Sequence, residues 1–503
     1  MKSLFLSILF VFFLLTCPFS LNAQQSCSQM REMRGVWVAS VANIDWPSAP
    51  GLDDVSLRLE VVRILDRAKS IGLNSVFLQV RPSSDTFYFS DLEPLSSYLV
   101  GNQVDARPGF DPLKYWIEQA HARGLELHAW INPFRVSTKA DFVSGNSHIS
   151  KVHPEWIVNF GDKLCLDPGI PEARYFVRDV VMDVVNRYDV DGIHFDDYFY
   201  PYPSAGLVFD DSKSFKDYNP RCLRLADWRR ANVTSVIAMC SESIRGAKPW
   251  VQFGISPFGV WRNKKNDPSG SNTTAGVTDY DDLFADIIDW INKSYIDYVI
   301  PQLYWISGYK AADFDELCSW WSRHATNDTK IFVGHSIYKI GTGKSPGVGW
   351  NSRSEMPNQV KSVRANRNLD GSVFFRIKFF DSNLLGFEDF LKSDFYSAPA
   401  LQIPVTKGSA GEISVSGLER DGNRLNWTVE GDTANVRFFM VFRSLRSEAE
   451  SLGSNESIVS ISDKPYFDLP SSSGRKQRFV YRVAAVDRYR VLHPMSRRLT
   501  IKE

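Results

Sequence analysis

Short apolar runs alternate with amphipathic segments along residues 31–395. Eight of the runs are typical of buried strands: Gly35–Val41, Ser75–Arg81, Glu126–Asn132, Gly192–Tyr198, Val251–Pro257, Tyr298–Tyr304, Ile331–Ser336 and Ser372–Ile377. The segments with helical spacing lie near residues 54–70, 111–123, 171–188, 217–246, 279–293, 311–325, 355–366 and 383–393. Strands that alternate with helices form parallel sheets of βαβ units. Eight such units predict an α/β fold, a (β/α)8 TIM barrel with long loops over residues 30–395, rather than an open doubly wound sheet.

The pattern changes after residue 395. Residues 396–408 contain Pro and small residues, which predicts a linker. Residues 409–503 contain short alternating strands without a helical pattern, including RLNWTV and RFVYRVAAVDR. This segment resembles a fibronectin type III module, a small all-β sandwich in which Leu425, Trp427 and Tyr481 would be core residues. It has no cluster of titratable side chains, so we expect a spacer or a module that contacts glycan or another domain.

The N-terminus has the pattern of a secretion signal. One Lys precedes an apolar run from Leu4 to Leu15, and a small residue follows at Ala23. The run is too short to span a bilayer and fits a signal peptide over residues 1–23. We therefore expect a periplasmic or extracellular protein with no transmembrane segment. Anchoring as a lipoprotein through Cys17 is the alternative, although Thr16 is a poor residue before a lipidated Cys.

Composition excludes several classes of function. The chain has 58 basic and 58 acidic residues, so bulk charge indicates neither a nucleic-acid partner nor a polybasic membrane clamp. Five cysteines would remain after signal cleavage, and the absence of a CxxC pair favours free thiols over a metal site. No GxGxxG follows the first strand, so a dinucleotide cofactor has no support. We expect no cofactor and no metal.

Polar and aromatic residues cluster where the predicted strands end, which is the catalytic face of a TIM barrel. Folding alone does not require them to converge on one rim. The candidates for catalysis are Asp196, Asp197, Asp85 and Asp45. The candidates for substrate binding are Asn43, Trp46, Gln79, Arg81, Trp130, Asn132, Arg135, His194, Tyr198, Trp261, Arg262, Gln302, Tyr304, Trp305, His335, Tyr338 and Arg376.

The fourth strand, with the sequence DGIHFDDYFYPYP, is the most informative. Side chains alternate along a strand, so His194, Asp196 and Tyr198 share one face, and Asp197 points elsewhere until the strand ends. A carboxylate there can attack an anomeric carbon or activate water, while a second carboxyl group protonates the leaving oxygen. We expect Asp196 to be the nucleophile or base. An N-cap role for the acid pair, or a metal site that includes His194, is the alternative.

The general acid is less defined, because no Glu ends a strand. The candidates are, in order, Asp197, Asp85 and Asp45. The rim aromatics, together with Tyr200 and Tyr202, are suited to stack against sugar rings. The arginines among the candidates are suited to bind anionic substituents.

Several motifs resemble one known family. RGVWVASVANIDWP, FLQVRPSSDTFY, LHAWINPFR, VDGIHFDDYFYP, GISPFGVWRN and IDYVIPQLYW are similar to glycosyl hydrolase-like family ten, over about residues 30–395. The resemblance implies a (β/α)8 barrel and a secreted bacterial carbohydrate-active enzyme. For some members it implies cleavage of peptidoglycan strands that lack stem peptides.

The stretch DGIHFD also resembles the DGxRxD element of the alpha-amylase clan, which implies that Asp196 is the nucleophile. His194 stands where that clan has Arg, and Ser256-Pro257 ends strand five where that clan has a Glu acid. The acid of that clan therefore cannot be carried over to this chain.

The sequence thus predicts a glycoside hydrolase that acts on cell-wall glycan or a related polysaccharide. A non-catalytic glycan-binding protein and a metal-dependent deacetylase or esterase are the alternatives. The absence of HExxH and GxSxG motifs counts against metalloprotease and serine-esterase chemistry.

Overall fold

The computed structural model describes residues 30–101, 107–139, 145–404, 408–454, 457–470 and 477–503. The predicted signal peptide, Cys17 and Cys27 lie outside these residues. The described cysteines, Cys165, Cys222, Cys240 and Cys318, are all free thiols.

Eight parallel strand positions close into a barrel, which confirms the predicted fold class. Its strands are β1 (Met33–Val38), β2 (Ser75–Arg81), β3 (Glu126–Ile131), β7 (Gly192–Phe195), β8 (Gln252–Ile255), β9 (Tyr298–Val299), β10 (Lys330–Ile331), β11 (Val333–His335) and β12 (Gly371–Phe374). Strands β10 and β11 together occupy one of the eight strand positions and are separated only by Phe332. Strand β10 pairs with β9, while β11 pairs with β12. The pairing of β1 with β12 closes the ring.

Helices cover the outside of the barrel between the strands. They are α1 (Asp54–Ile71), α2 (Ser97–Val100), α3 (Pro112–His121), α4 (Ile149–Val152), α5 (Pro171–Arg187), α6 (Ser212–Asp217), α7 (Leu225–Ala247), α8 (Ile287–Asn292), α9 (Phe314–Ser322), α10 (Glu355–Ala365) and α11 (Phe387–Phe390). Local signals set their ends: the Asp111 side chain caps α3 by accepting from Lys114 N, and Pro112 occupies its first turn.

An insertion after β3 stands at the mouth of the barrel. It consists of β4 (Arg135–Ser137), α4, β5 (Ile157–Phe160) and β6 (Lys163–Leu166), and its strands form a small antiparallel sheet in the order β4-β6-β5. Because β4 begins four residues beyond the end of β3, this sheet is held against the carboxyl ends of the barrel strands.

Inward-facing side chains fill the barrel axis. The buried apolar cluster there contains Met33, Trp37, Phe77, Trp130, Tyr298, Phe332 and Val373. Two inward glycines make room for larger neighbours: a Cβ on Gly192 would lie 2.3 Å from His128 Nδ1, and one on Gly254 would lie 2.1 Å from the Tyr298 ring. The barrel is therefore a packed core that is open only above this layer.

The C-terminal residues form two antiparallel sheets. The strands are β13 (Ile413–Asp421), β14 (Arg424–Gly431), β15 (Val436–Leu445), β16 (Ile458–Ser462), β17 (Tyr466–Asp468), β18 (Arg478–Asp487) and β19 (Leu499–Lys502). The sheet orders are β13-β14-β17 and β16-β15-β18-β19. Leu425, Trp427 and Tyr481 are buried between the sheets, as expected for core residues. The closer resemblance to fibronectin type III stays a prediction.

The four-stranded sheet packs its second face against the amino-terminal end of the barrel. A buried apolar cluster on that face includes Phe438, Met440 and Leu401. Leu401 belongs to residues 396–404, the described part of the predicted linker before its gap, and this segment is largely buried against the barrel. Gln402, for example, donates to the Asn74 carbonyl at 2.7 Å. None of the described helices is both long and apolar enough to cross a membrane.

Buried arginines join the two parts. Arg437 on β15 pairs with Asp191 at 3.1 Å and with Asp189 at 2.9 Å. Arg490 pairs with Glu126 at 2.7 Å, at the first residue of β3. Arginine charges hold the pKa of Asp189 at about 2, although burial by itself would raise it. The module is thus fixed to the barrel end that lies opposite the mouth.

Replacing Arg437 with Leu should strongly destabilise the protein, because the Asp191 carboxylate would remain buried without its main counter-charge. We expect a loss of about 3–5 kcal/mol in the free energy of unfolding, measured by urea denaturation at neutral pH. The matched control is Arg424→Gln, which removes an exposed ion pair with Asp468 and should leave the unfolding midpoint unchanged. Equal midpoints for Arg437→Leu and wild type would contradict a stabilising role for this network.

Candidate active site

A cavity of about 490 Å³ opens at the carboxyl ends of the barrel strands. Its lining residues are Trp37, Ala39, Val41, Ile44, Gln79, Trp130, Arg135, Asp196, Asp197, Tyr198, Tyr202, Ser256, Phe258, Gln302, Tyr304, Trp305, Tyr338, Lys339 and Phe375. They lie on, or directly after, each of the eight strand positions of the barrel. We call this space the acidic cavity, because Asp196 and Asp197 are the carboxylate residues in its lining.

A chain of amide hydrogen bonds ends on Asp196. The backbone N–H groups of Ser40 and Val41 donate to Gln79 Oε1 at 3.0 Å. Gln79 Nε2 donates to Asn132 Oδ1 at 2.7 Å, and Asn132 Nδ2 donates to Asp196 Oδ2. Because each amide must present its oxygen to the previous donor, its nitrogen must face the next acceptor. The chain therefore fixes Asp196 as an acceptor, which favours its ionised form.

Electrostatics act on Asp196 in both directions. Burial raises its pKa overall, and the Arg135 charge, the Tyr198 N–H and the Asn132 amide offset only part of that rise. The closest approach between Arg135 Nη2 and Asp196 Oδ2 is 3.9 Å, which is an ion pair without a hydrogen bond.

Asp197 has a different environment. Strand β7 ends at Phe195, so the alternation of side chains no longer holds and both aspartates reach the cavity. Burial together with the charge of Asp196 raises the pKa of Asp197 to about 7, against a hydrogen bond donated by the Tyr202 hydroxyl. Asp196 therefore loses its proton first, and Asp197 keeps its proton up to neutral pH.

A third acid, Asp279, is buried close to Asp197. Its Oδ1 accepts from Phe258 N at 3.0 Å, and its Oδ2 has no hydrogen-bond partner among the described residues. Burial and the Asp197 charge raise the pKa of Asp279 well above the usual range. It lies beyond the ends of the strands in the sequence, which is why strand-end reasoning did not select it.

A buried polar layer supports the cavity floor. His194 Nε2 lies 3.2 Å from Trp37 Nε1 and 3.0 Å from Ser256 Oγ, and its Nδ1 lies 3.3 Å from the Tyr298 hydroxyl. Burial lowers the pKa of His194 well below its usual value, so the ring is neutral and accepts from Trp37. His194 therefore supports the floor from below and does not line the cavity.

Eleven of the predicted residues meet in the acidic cavity: Gln79, Trp130, Arg135, Asp196, Asp197, Tyr198, Tyr202, Gln302, Tyr304, Trp305 and Tyr338. The aromatic members form its walls, and Tyr198 remains 40% exposed at the entrance. A half-open aromatic wall next to paired carboxyl groups is suited to bind a flat sugar face.

Other predicted residues are occupied by partners elsewhere. Asp45, with a side chain that is not exposed, pairs with Arg376 at 2.6 Å. Arg81 pairs with Glu93 at 2.5 Å, and it also donates to the Asn132 carbonyl. Asp85 is buried near this pair, and burial raises its pKa to about 7. The predicted residues Asp45, Asp85, Arg81 and Arg376 therefore lie outside the acidic cavity, and we do not propose Asp45 or Asp85 as the acid.

The remaining predicted residues serve the packing of loops. Trp46 is fully buried against Trp116, and Trp261 stacks on Trp320. Arg262 forms ion pairs with Asp267 and Asp281. Asn43 donates to the backbone carbonyls of Pro47 and Tyr98, and the buried His335 lies within hydrogen-bond distance of Gln359 and Ser372. Asn132 stays beneath the cavity as the donor to Asp196.

Several lining residues were not among the predicted ones: Trp37, Ala39, Val41, Ile44, Phe258, Lys339 and Phe375. Trp37 and Ala39 share the inward parity of β1, so strand alternation could have identified them. Lys339 ends the 3-10 turn Ile337–Lys339 and donates to the Tyr304 carbonyl at 2.7 Å, and no periodic signal marks it. Among the described residues, no group of three or more His, Cys, Asp or Glu side chains is arranged to hold a metal ion.

A closed parallel barrel with two buried carboxyl groups at the carboxyl ends of its strands is an arrangement that meets the requirements of glycosidase chemistry. The chain belongs to the glycosyl hydrolase-like 10 family, whose model matches residues 32–352. It is similar to the glycosyl hydrolase YngK of Bacillus subtilis strain 168, with 37% identity over 97% of this chain and 96% of that protein. It is also 37% identical to the glycosyl hydrolase DigH of Escherichia coli K12, over 68% of this chain and 82% of that protein.

Among solved structures, the chain is similar to the PgaB (BpsB) glycoside hydrolase domain of Bordetella bronchiseptica, with 12% identity and a TM-score of 0.43. That match covers 73% of this chain and 99% of the other. The catalytic domain of a Paenibacillus polymyxa beta-amylase matches with 11% identity and a TM-score of 0.46, over 72% of this chain and 98% of the other.

The raised pKa of Asp197 predicts a pH dependence of folding. A carboxyl group whose pKa is higher in the folded state stabilises the protein at low pH, and this stability is lost as the pH rises from about 4 to about 7. Asp197→Asn removes the titrating group, so this variant should lose less stability between pH 5 and pH 8 than wild type. We expect a difference on the order of 3 kcal/mol, measured by urea denaturation at both pH values.

Asp179 is an exposed carboxylate on the outer helix α5 and supplies the matched control. Asp179→Asn should keep the pH dependence of the wild type. If Asp197→Asn also kept it, Asp197 would not hold a raised pKa.

Proposed function

We propose that this protein is a secreted glycoside hydrolase that cleaves a bacterial cell-wall glycan, namely peptidoglycan strands that lack stem peptides, or a related polysaccharide. The observation that carries the proposal is the unequal environment of two adjacent carboxyl groups. Asp196 accepts from Asn132 and faces Arg135, whereas Asp197 has a pKa of about 7. Glycosidases need one ionised and one protonated carboxyl group at the same bond.

In the proposed mechanism, Asp197 donates its proton to the oxygen of the leaving sugar. The Asp196 carboxylate either attacks the anomeric carbon or removes a proton from the attacking water. Arg135 and the Asn132 amide keep Asp196 ionised while positive charge develops on the sugar ring. Proton transfer from a positioned acid of matched pKa typically contributes about 10²–10⁴-fold to the rate.

The aromatic walls would orient the sugar. Tyr198, Tyr304, Trp305 and Tyr338 line the acidic cavity around the acid pair. Their ring faces are suited to contact the apolar C–H face of a pyranose, while Gln302, whose Nε2 donates to the Ser256 carbonyl at 2.9 Å, lies beside Asp197. Secretion rests on the signal pattern of residues 1–23, and the cell-wall substrate rests on the family resemblance.

Changing either aspartate should abolish hydrolysis. We expect Asp196→Asn and Asp197→Asn each to lower the release of reducing ends by about 10³-fold or more. The assay uses glycan strands from sacculi from which an amidase has removed the stem peptides, with untreated sacculi as the comparison substrate. The control Asp179→Asn should keep wild-type activity. Full activity in Asp196→Asn would overturn the assignment, and binding without cleavage by wild type would favour a glycan-binding protein.

The activity should fall as pH rises through about 7, because Asp197 must be protonated to act as the acid. The Tyr202 hydroxyl donates to the Asp197 carboxylate and thereby lowers its pKa. Tyr202→Phe should therefore move the alkaline limb of the kcat/KM profile to higher pH. An unchanged alkaline limb in this variant would mean that Asp197 is not the group that controls it.

A further inference from the structure

A second space adjoins the acidic cavity, between the insertion after β3 and the segment that follows β7. It has a volume of about 400 Å³, and we call it the basic compartment. The two spaces share Val41, Arg135, Tyr198 and Tyr202 in their linings. A ligand that occupies both would therefore pass across the exposed Tyr198 ring, with one unit beside the acid pair and another in the basic compartment.

The charges of the two spaces are opposite. The basic compartment is lined by two cationic residues, Arg135 and Lys163, and by no Asp or Glu. Lys163 is the first residue of β6 and is exposed, and no described acidic side chain lies within ion-pair distance of it. Cys165, two residues further along the same strand, adds no negative charge because burial raises the pKa of its thiol to about 11.

Arg135 has unused hydrogen-bonding capacity. Its guanidinium lies 4.3 Å from the centre of the Tyr198 ring, and its side chain is 15% exposed. Apart from the 3.9 Å approach to Asp196, its guanidinium makes no hydrogen bond to any of the described residues. The buried Arg81 and Arg437, by contrast, are both hydrogen-bonded to carboxylates. A guanidinium that lines two open spaces and has donors left free by the protein is available to bind an anionic ligand.

The rest of the compartment suits a sugar ring. Phe134, Phe199, Pro201 and the two shared tyrosines supply aromatic and apolar walls. Guanidinium and ammonium groups above such walls are the donors that recognise a carboxylate, the guanidinium through two parallel hydrogen bonds.

We propose that the basic compartment binds a sugar unit that carries a free carboxylate, next to the unit at the acid pair. This inference rests on the proposed hydrolase function and adds the feature by which the site selects its substrate. In peptidoglycan, the lactyl group of muramic acid carries a free carboxylate only after the stem peptide has been removed. A stem peptide would replace that carboxylate with a neutral amide and would add bulk to the unit in the basic compartment.

The test compares two forms of one substrate. Strands without stem peptides are used either directly or after chemical reduction of their carboxyl groups to alcohols, and KM and kcat are measured separately. We expect reduction to raise the wild-type KM by about tenfold with little change in kcat. Lys163→Gln should raise the KM for unreduced strands by about fivefold and should weaken the discrimination between the two forms.

The matched control is Lys151→Gln. Lys151 is an exposed lysine on α4 of the same insertion, and it lines neither space. This variant should behave as wild type. The compartment's role is overturned if wild type treats both forms alike, or if Lys163→Gln discriminates between them as strongly as Lys151→Gln does.

Calorimetry with the full chain separates this inference from the proposed hydrolysis. Binding of unreduced but not of reduced strands, without release of reducing ends, would refute the hydrolysis and support the carboxylate site. Uronic acid oligosaccharides serve as a second probe. Stronger binding of uronates than of denuded strands would assign the carboxylate to a uronate, and the reverse would assign it to muramic acid. Binding of neither probe would overturn the carboxylate site.

Discussion

The hydrogen bonding between the first and last barrel strands is the constraint on which the site depends. Strand β1 pairs with both β2 and β12, so residues more than 330 positions apart become neighbours. Closure points the alternate side chains of every strand at one axis. Trp37 from the first strand, Asp196 from the middle of the chain and Phe375 after the last strand then line one cavity. An open sheet would leave the same residues spread along an edge.

Closure also buries the carboxyl groups of Asp196 and Asp197, and burial makes the ionisation of both groups costly. Two adjacent carboxyl groups in a buried site cannot both ionise without a large cost. The amide chain from Gln79 through Asn132, together with Arg135, supports the charge on Asp196. Asp197 receives weaker support from the Tyr202 hydroxyl, the Gln302 amide and its own backbone N–H, and its pKa rises to about 7. The same repulsion that weakens the fold at high pH gives the two carboxyl groups different protonation states, and the proposed roles of base and acid rest on this difference.

The charged residues at the two ends of the barrel differ in whether they form ion pairs. At the amino-terminal end, the buried arginines form ion pairs: Arg437 with Asp189 and Asp191, and Arg490 with Glu126. These pairs hold the C-terminal module and face no substrate space. At the mouth, Arg135 and Lys163 keep donors free beside aromatic walls. The paired arginines therefore join the module to the barrel, while Arg135 and Lys163 have donors available for a ligand.

Alternating apolar and helical segments were enough to predict the eight strands and the closed barrel. They also predicted that Asp196 and Asp197 lie with Trp130, Tyr198 and Tyr304 at its mouth. These features follow from backbone periodicity, which is a local property of the sequence. Tertiary structure alone decided which charged residues were already paired. Asp45 meets Arg376, and Arg81 meets Glu93, because the closed ring brings these side chains together. Whether a charge is neutralised inside the fold or left for a ligand depends on contacts across the whole chain, and local spacing in the sequence carries no information about them.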